Sequence, residues 1–536
     1  MRGNDSAFAL SRLASSAMLR RLTTTTTPRT LIRRRLEAEV GRIPKQAPYR
    51  AALVYPSPYR VAMSSLGFQT AYRVIQSTPE WCCERVFHPD TENHGLEISE
   101  RPISYEGERS LQEFSLIAFS VSYELELAGL IRILESSGIP ALREQRGEDH
   151  PLVMAGGPLT FSNPSTLTPF VDAVLLGECE QELPEVLASM TQCRTREEIL
   201  GAWAACAGLL VPGIDSRVEP QLLRADDQFL PAFGPIRTAE TELSNMFLVE
   251  AERGCSRGCQ YCVMRRSTNG GMRIVEPKRI FDCMPPDVQK VGLVGAAVSD
   301  HPRIVEIIDE LVSRDCKVGL SSLRPDKLKE PFVAALSRAG YRTLTTALDG
   351  ASERLRSEID RRGNAEHYVK AAQFARKYGM DRLKLYLMIG LPGETDSDVD
   401  ECSGFVTELS RIIPVSLGIS PFCAKKNTPL DGMPFAGISR VQARLERLRT
   451  GLAGRAEIRP TSSKWAWVEH VLSQGGAEEG RAVLDALRRG GRFSDYRKSF
   501  LAIGHHPDQT GFDGVSMPNK RDANRLARLP VIRVQN

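Results

Sequence analysis

Three of the chain's twelve cysteines, Cys255, Cys259 and Cys262, fall within the eleven residues ERGCSRGCQYC (252–262), and the other nine are scattered. Their spacing is C-x3-C-x2-C. Three thiolates on one short loop can reach three corners of a cubane [4Fe–4S] cluster, and the fourth iron, with no cysteine, stays open to a substrate or cofactor. Gly254 and Gly258 let the backbone wrap closely round so bulky a group, because glycine tolerates positive φ. Other uses of the thiols fit less well. A structural zinc site takes four ligands, and the next cysteine downstream is Cys283. A disulfide would leave one thiol unpaired, and an electron-transfer ferredoxin site would need a fourth cysteine.

The elements around this loop alternate. It follows the apolar strand MFLVEAE (246–252), and VGLVGA, KVGLSS, YRTLTTAL, RLKLYLMIG and VSLGISPF follow at similar spacing with helical segments between them. Six βα units over 245–435 predict an incomplete (β/α)6 barrel, not a closed eight-fold one. Upstream, AALVYP, FSLIAFSVSYE, PLVMAGGP and VDAVLLGECEQELPEV alternate with helices, which predicts an α/β, doubly wound, Rossmann-like sheet over 48–190. Ligands of such sheets bind beyond the carboxyl ends of the strands. Tyr59, Ser120, Ser122, Gly156, Gly157, Gly177 and Glu178 are placed there. Residues 191–244 read as a linker, 436–503 as a charged helical extension and 504–536 as a loose tail. Residues 1–47 read as a disordered or leader segment: the stretch is rich in Arg, Thr and Ser and poor in acid, as a mitochondrial transit peptide is, but it shows no clear cleavage pattern.

The loop resembles that of the radical S-adenosylmethionine superfamily, on its C-x3-C-x2-C spacing, its place after the first barrel strand and the aromatic Tyr261 before the third cysteine. The resemblance implies that the open iron takes the amino and carboxylate groups of S-adenosylmethionine, whose cleavage gives a 5′-deoxyadenosyl radical that abstracts hydrogen from a substrate. LKLYLMIGLPGETDSDV (383–399) is similar to the superfamily's fifth-strand motif, which implicates Gly390, Pro392 and Glu394 near the adenine. TALDGASERL (346–355) stands where relatives carry a Glu-Ser-Gly-Ser-like turn, with Asp349 in place of the glutamate. GLSSLRPDKL (319–328) offers Ser321, and Arg324 to neutralise the cofactor carboxylate. Where relatives hold the methionine amino group with Gly-Gly-Glu, this chain has Ala296 and Ala297, so Ser299 or Asp300 is the substitute. No residue stands out as the acid or base acting on a substrate.

The N-terminal segments YPSPYRVAMSSLGFQTAY, FSVSYELE and PLVMAGGPLTFSNP, with ISPFCAKKNTPL (419–430), resemble an uncharacterised branch of cobalamin-type members. That makes cobalamin a further expected cofactor, and methylation or hydrogen abstraction with ring closure the reaction types. Yet the usual Asp-x-His-x-x-Gly cobalt-ligand signature is absent, and His88, His94 and His150 read as loop histidines. A domain that covers the barrel or binds substrate fits equally well.

Composition sets limits. Lys plus Arg is 70 against 66 Asp plus Glu, a net charge of +4, which gives no general field for nucleic acid. Apolar runs are far shorter than the roughly 20 residues of a membrane span. The sparse cysteines suit a reducing compartment, and the expected location is the cytoplasm, with mitochondrial import as the second reading. An electron donor such as flavodoxin or ferredoxin is the expected partner, and the substrate is open. Two rivals remain at this point. A methylthiotransferase acting on RNA would need a second cluster, and Cys82, Cys83 and Cys179 lack the spacing. A zinc-stabilised RNA-binding protein would use the Arg-rich C-terminal helices.

Overall fold

The computed structural model describes residues 27–89, 101–214, 220–265, 270–321, 323–508, 515, 517 and 518. The first sheet contains β1 (Tyr49–Tyr55), β2 (Trp81–Phe87), β3 (Leu116–Ser120), β4 (Leu152–Gly156), β5 (Ala173–Leu175) and β6 (Leu209–Leu210). Their order is β2-β1-β3-β4-β5-β6, and all pairs are parallel except β5–β6. The first five follow the 2-1-3-4-5 order of doubly wound sheets. The strands are apolar throughout because both faces are covered. Val54, Phe119 and Val153 point into one core, and their neighbours Leu53, Ala118 and Leu152 into another.

The second sheet system is the barrel. β7 (Phe247–Glu250) runs into β8 (Glu252–Arg253), which pairs antiparallel with β9 (Arg273–Ile274). Then come β10 (Lys290–Val294), β11 (Lys317–Leu320), β12 (Thr343–Asp349), β13 (Arg382–Ile389), β14 (Val415–Pro421) and β15 (Ala456–Pro460). The strands form two parallel arcs, β11-β10-β7 and β12-β13-β14-β15, joined by the bridge Leu323↔Thr346. The barrel is incomplete, as expected, but it has a seventh parallel strand. Residues 456–460 lie in the segment expected to be purely helical, and their polar sequence AEIRP gave no apolar strand signal. The rest of that segment is helical: Ile438–Leu452, Ser463–Gln474, Ala477–Arg488 and Phe493–Ala502. Trp467 is buried there against Phe493 and Phe500, and Trp465 packs on Phe493 and Tyr496. Both tryptophans pack between helices. Among the described residues no helix is long and apolar enough to cross a membrane.

Three predicted boundaries move. Residues 1–26 lie outside the described residues, but 28–47, counted with the leader, are built into the fold. Helix Pro28–Ala38 buries Ile32 and Arg35, and Val40 bridges Arg237. Glu39 makes a fully buried ion pair with Arg85 (2.7 Å) and accepts the Tyr59 hydroxyl (2.7 Å). The linker 191–244 is not loose either. It supplies helix Arg196–Trp203, with Trp203 fully buried, and the antiparallel strand β6. The start of the tail is also anchored: Pro507 accepts from Ile438 N, Asp508 from Ser439 N, and His505 meets Glu479 at 2.8 Å. Most of the remaining tail lies outside the described residues.

Removing one partner of a buried ion pair leaves an uncompensated charge. Glu39→Gln, which keeps the shape, is expected to cost about 3 kcal/mol in a denaturant titration. An unchanged midpoint would show that residues 28–47 are dispensable to the fold.

Candidate active site

Gly254, at φ +83°, turns the chain out of β8 into the cysteine loop. Cys259 is buried, and Cys255 and Cys262 are half-buried. The three lie within one another's fields. Burial pushes the Cys262 thiol up to about 12 and raises Cys255 as well. Their thiolates, the form that binds metal, therefore need positive charge beside them. Arg265 supplies some: it is buried, it feels Cys259 and Cys262, and its Nε and Nη1 have no hydrogen-bond partner. Free donors of a buried cation beside three thiols suit an anionic iron–sulfur cluster. Among the described residues no three His, Cys, Asp or Glu side chains gather tightly enough to hold a single metal ion.

The expected cofactor residues divide into those near the loop and those spent elsewhere. The Tyr261 hydroxyl donates to Asp349 Oδ2 at 2.7 Å, and Arg361 Nε reaches the same oxygen at 2.9 Å. Asp349 sits at φ +63° beyond an irregularity in the β12–β13 register, so β12 is tied to the loop by a charged hydrogen bond. Arg324 is buried against Asp300 and Asp326, each at 3.4 Å. Arg257 of the cysteine loop bridges the same two aspartates, and Ser299 Oγ accepts from Arg324 N. Ser321, exposed, donates to the Gly295 carbonyl at 3.3 Å. Gly390, at φ +86°, and Pro392 form the turn after β13. Glu394 is buried: its Oε2 accepts from Gly390 N and pairs with Arg444 Nη1 at 2.7 Å, while its Oε1 has no hydrogen-bond partner. It ties the turn to helix Ile438–Leu452 through one carboxylate oxygen and leaves the other unpartnered.

Beside the loop lies a cavity of about 370 Å³ between the strand ends of the first sheet and the barrel. Ser120, Gly156, Gly157, Gly177 and Glu178 line one side; Gly254, Met264, Gly295 and Ala296 line the other. Tyr59 does not reach it. It is fully buried, stacked on Tyr105 and edge-on to Phe87, because the Pro56–Pro58 turn folds back onto the sheet. Ser122 lies off the lining and meets the Tyr55 hydroxyl and Glu126. Neither His88 nor His150 lines the cavity, and His94 is outside the described residues.

The cavity is closed on one side by an ionic clamp that sequence reasoning missed. Arg253 Nη1 reaches Glu178 Oε2 at 2.9 Å, Nη2 reaches Glu180 Oε1 at 2.6 Å, and Nε reaches Glu250 Oε1 at 2.7 Å. Arg273 also pairs with Glu178. The available signal was an arginine two residues before Cys255 and the run Glu178-Cys179-Glu180. A second tie lies at the β14 end, where Lys425 bridges Glu124 (2.7 Å) and Glu469 (2.9 Å). Next to Glu469, His470 is half-buried with its Nδ1 enclosed and unpartnered, and desolvation of the ring pushes its pKa down to about 4.

Comparison with known proteins fits this geometry. The family model "Radical SAM proteins, N-terminal" matches residues 67–212, and "Radical SAM superfamily" matches 249–406. The chain is a radical S-adenosylmethionine enzyme. An uncharacterised protein of Methanocaldococcus jannaschii is 27% identical over 335 residues, 61% of this chain and 70% of that one. The cobalamin-dependent radical SAM methyltransferase TokK of Streptomyces tokunonensis is 24% identical over 303 residues, 52% of this chain but only 44% of its own. The cobalamin-dependent S-adenosylmethionine radical enzyme OxsB, solved with aqua-cobalamin and S-adenosylmethionine, aligns with TM-score 0.49 at 10% identity, covering 90% of this chain and 66% of that one.

Two outcomes follow for this radical SAM chain. Arg253→Met leaves its carboxylate partners facing one another and is expected to cost about 3 kcal/mol or more; a chemical-denaturation midpoint equal to the parent's would contradict the clamp. Because the folded pKa of His470 is depressed, the unfolded chain binds the extra proton. Stability should therefore fall from about pH 6.5 towards 4, by at most about 3 kcal/mol. Melting curves of His470→Leu should lack that part of the loss.

Proposed function

We propose that Cys255, Cys259 and Cys262 hold a [4Fe–4S] cluster and that the reaction it starts is aimed at a reactant in the cavity beside the loop. When bound, the cluster supplies the electron that cleaves S-adenosylmethionine to methionine and a 5′-deoxyadenosyl radical. The single observation that carries the proposal is that the three-cysteine loop opens, through Gly254 and Met264, onto a cavity walled on its far side by Ser120, Gly156 and Gly177.

The chain's own residues bind, orient and exclude. Arg265 offers its free donors to the loop. Asp349 holds Tyr261 and Arg361 in place at the end of β12. Arg257 and Arg324, crossed with Asp300 and Asp326, fix the loop against β10 and β11. The apolar lining keeps water from the reacting centre. A flavodoxin or ferredoxin would deliver the electron. At about 370 Å³ the cavity falls within the usual range of small-molecule sites, roughly 300–1,000 Å³. A corrinoid is the second occupant to consider, supported by the name of the TokK relative. No lining residue offers cobalt a histidine nitrogen, so a corrinoid there would lack a histidine ligand.

Anaerobic reconstitution tests both parts. The expected result is about four irons per chain and 5′-deoxyadenosine on addition of dithionite and S-adenosylmethionine. Alanine at any one of the three cysteines should abolish both, and unchanged iron in those variants would overturn the assignment. Stoichiometric cobalamin uptake would give the cavity to the corrinoid; no uptake would give it to the substrate.

A further inference from the structure

Glu252 is a buried acid that none of the roles above uses. It lies on β8, three residues before Cys255, and is fully buried. Its Oε1 accepts from Ala297 N at 2.5 Å, and its Oε2 has no hydrogen-bond partner. Among the described residues no cation pairs with it. Its neighbours Glu250 and Asp300 are acids, which together with burial push its carboxyl up to about 8. The nearest arginines are engaged elsewhere: Arg253 with Glu178, Glu180 and Glu250, and Arg324 with Asp300 and Asp326. A buried carboxylate left without a donor or counter-charge is costly, so the position is built for a group that arrives with one.

The location says which group. The carboxylate lies in the gap left by the missing side chain of Gly295: a Cβ there would sit 2.3 Å from Glu252 Oε1. Gly295 and Ala296 close β10 at the cavity wall, at the point where the chain carries no acid of its own. Glu252 thus brings a carboxylate from the neighbouring strand to the end of β10. Cys255, three residues on, feels its charge. A donor arriving here lies beside the cysteine loop, and the reaction brings one such donor, the amino group of the sulfonium amino acid.

We infer that Glu252 Oε2 accepts a hydrogen bond from the amino group of S-adenosylmethionine and so positions the cofactor; this rests on the cluster assignment above. The test is Glu252→Gln in reconstituted protein, with iron content measured alongside the Kd for S-adenosylmethionine by equilibrium dialysis without reductant. A second ligand is the S-adenosyl analogue in which hydrogen replaces the amino group. The expected result is unchanged iron, a loss of roughly tenfold to a hundredfold in affinity for S-adenosylmethionine, and little loss for the analogue. Glu252→Asp should recover part of the affinity. Equal losses for both ligands would reduce Glu252 to a packing role, and an unchanged Kd with full iron would overturn the inference. If the parent protein takes up no iron, it is the cluster assignment that fails.

Discussion

The geometry of the site depends on one guanidinium. Arg253 is the last residue of β8, directly before the turn into the cysteine loop, and it bonds carboxylates from both sides of the cavity. Glu250 belongs to the barrel, and Glu178 and Glu180 to the loop after β5. One rigid planar fork therefore fixes where the first cysteine emerges and how far the strand ends of the first sheet stand from it. Arginine suits this task because its fixed donors can serve several carboxylates in one plane. The surplus of acid is met by Arg273, which keeps the cluster of carboxylates tolerable so far from water.

From this clamp the rest of the site follows in layers. The loop leaves it through Gly254 and is held on its far side by Arg257, which reaches the ends of β10 and β11 through Asp300 and Asp326. Tyr261 then ties the loop to β12. All these ties come from the first four barrel strands and meet at the strand ends, where the field of buried arginines favours thiolate. The second arc contributes differently: the turn after β13 is locked by Glu394 to Arg444, far along the chain, and β14 is fastened through Lys425 to the first sheet.

Much of this was legible in the sequence because it rests on local pattern. The cysteine spacing, the apolar strands and the glycines at strand ends each show in a short window. The doubly wound sheet and the incomplete barrel follow from the alternation of such windows. What stayed hidden depends on partners distant in sequence. Glu394 reads as a motif residue, and the sequence gives no sign that Arg444, fifty positions on, pairs with one of its oxygens. Tyr59 looks like a strand-end residue until Glu39 and Tyr105 enclose it. Strand β15 is too polar to announce itself and forms because β14 has an open edge. Helix Pro28–Ala38 has the composition of a leader, and its ion pairs Arg33–Glu108 and Arg35–Glu240 count where its apolar pattern is weak.

The hydrophobic interior crosses the boundary between the two family models. One continuous core contains Val54 and Phe119 from the first sheet, Leu293 and Leu385 from the barrel, and Val483 and Phe500 from the last helices. Neither sheet closes its apolar surface alone. Cutting the chain between them would expose matching halves of one interior, so the fold should melt as one cooperative unit, although its sequence divides into two matched segments.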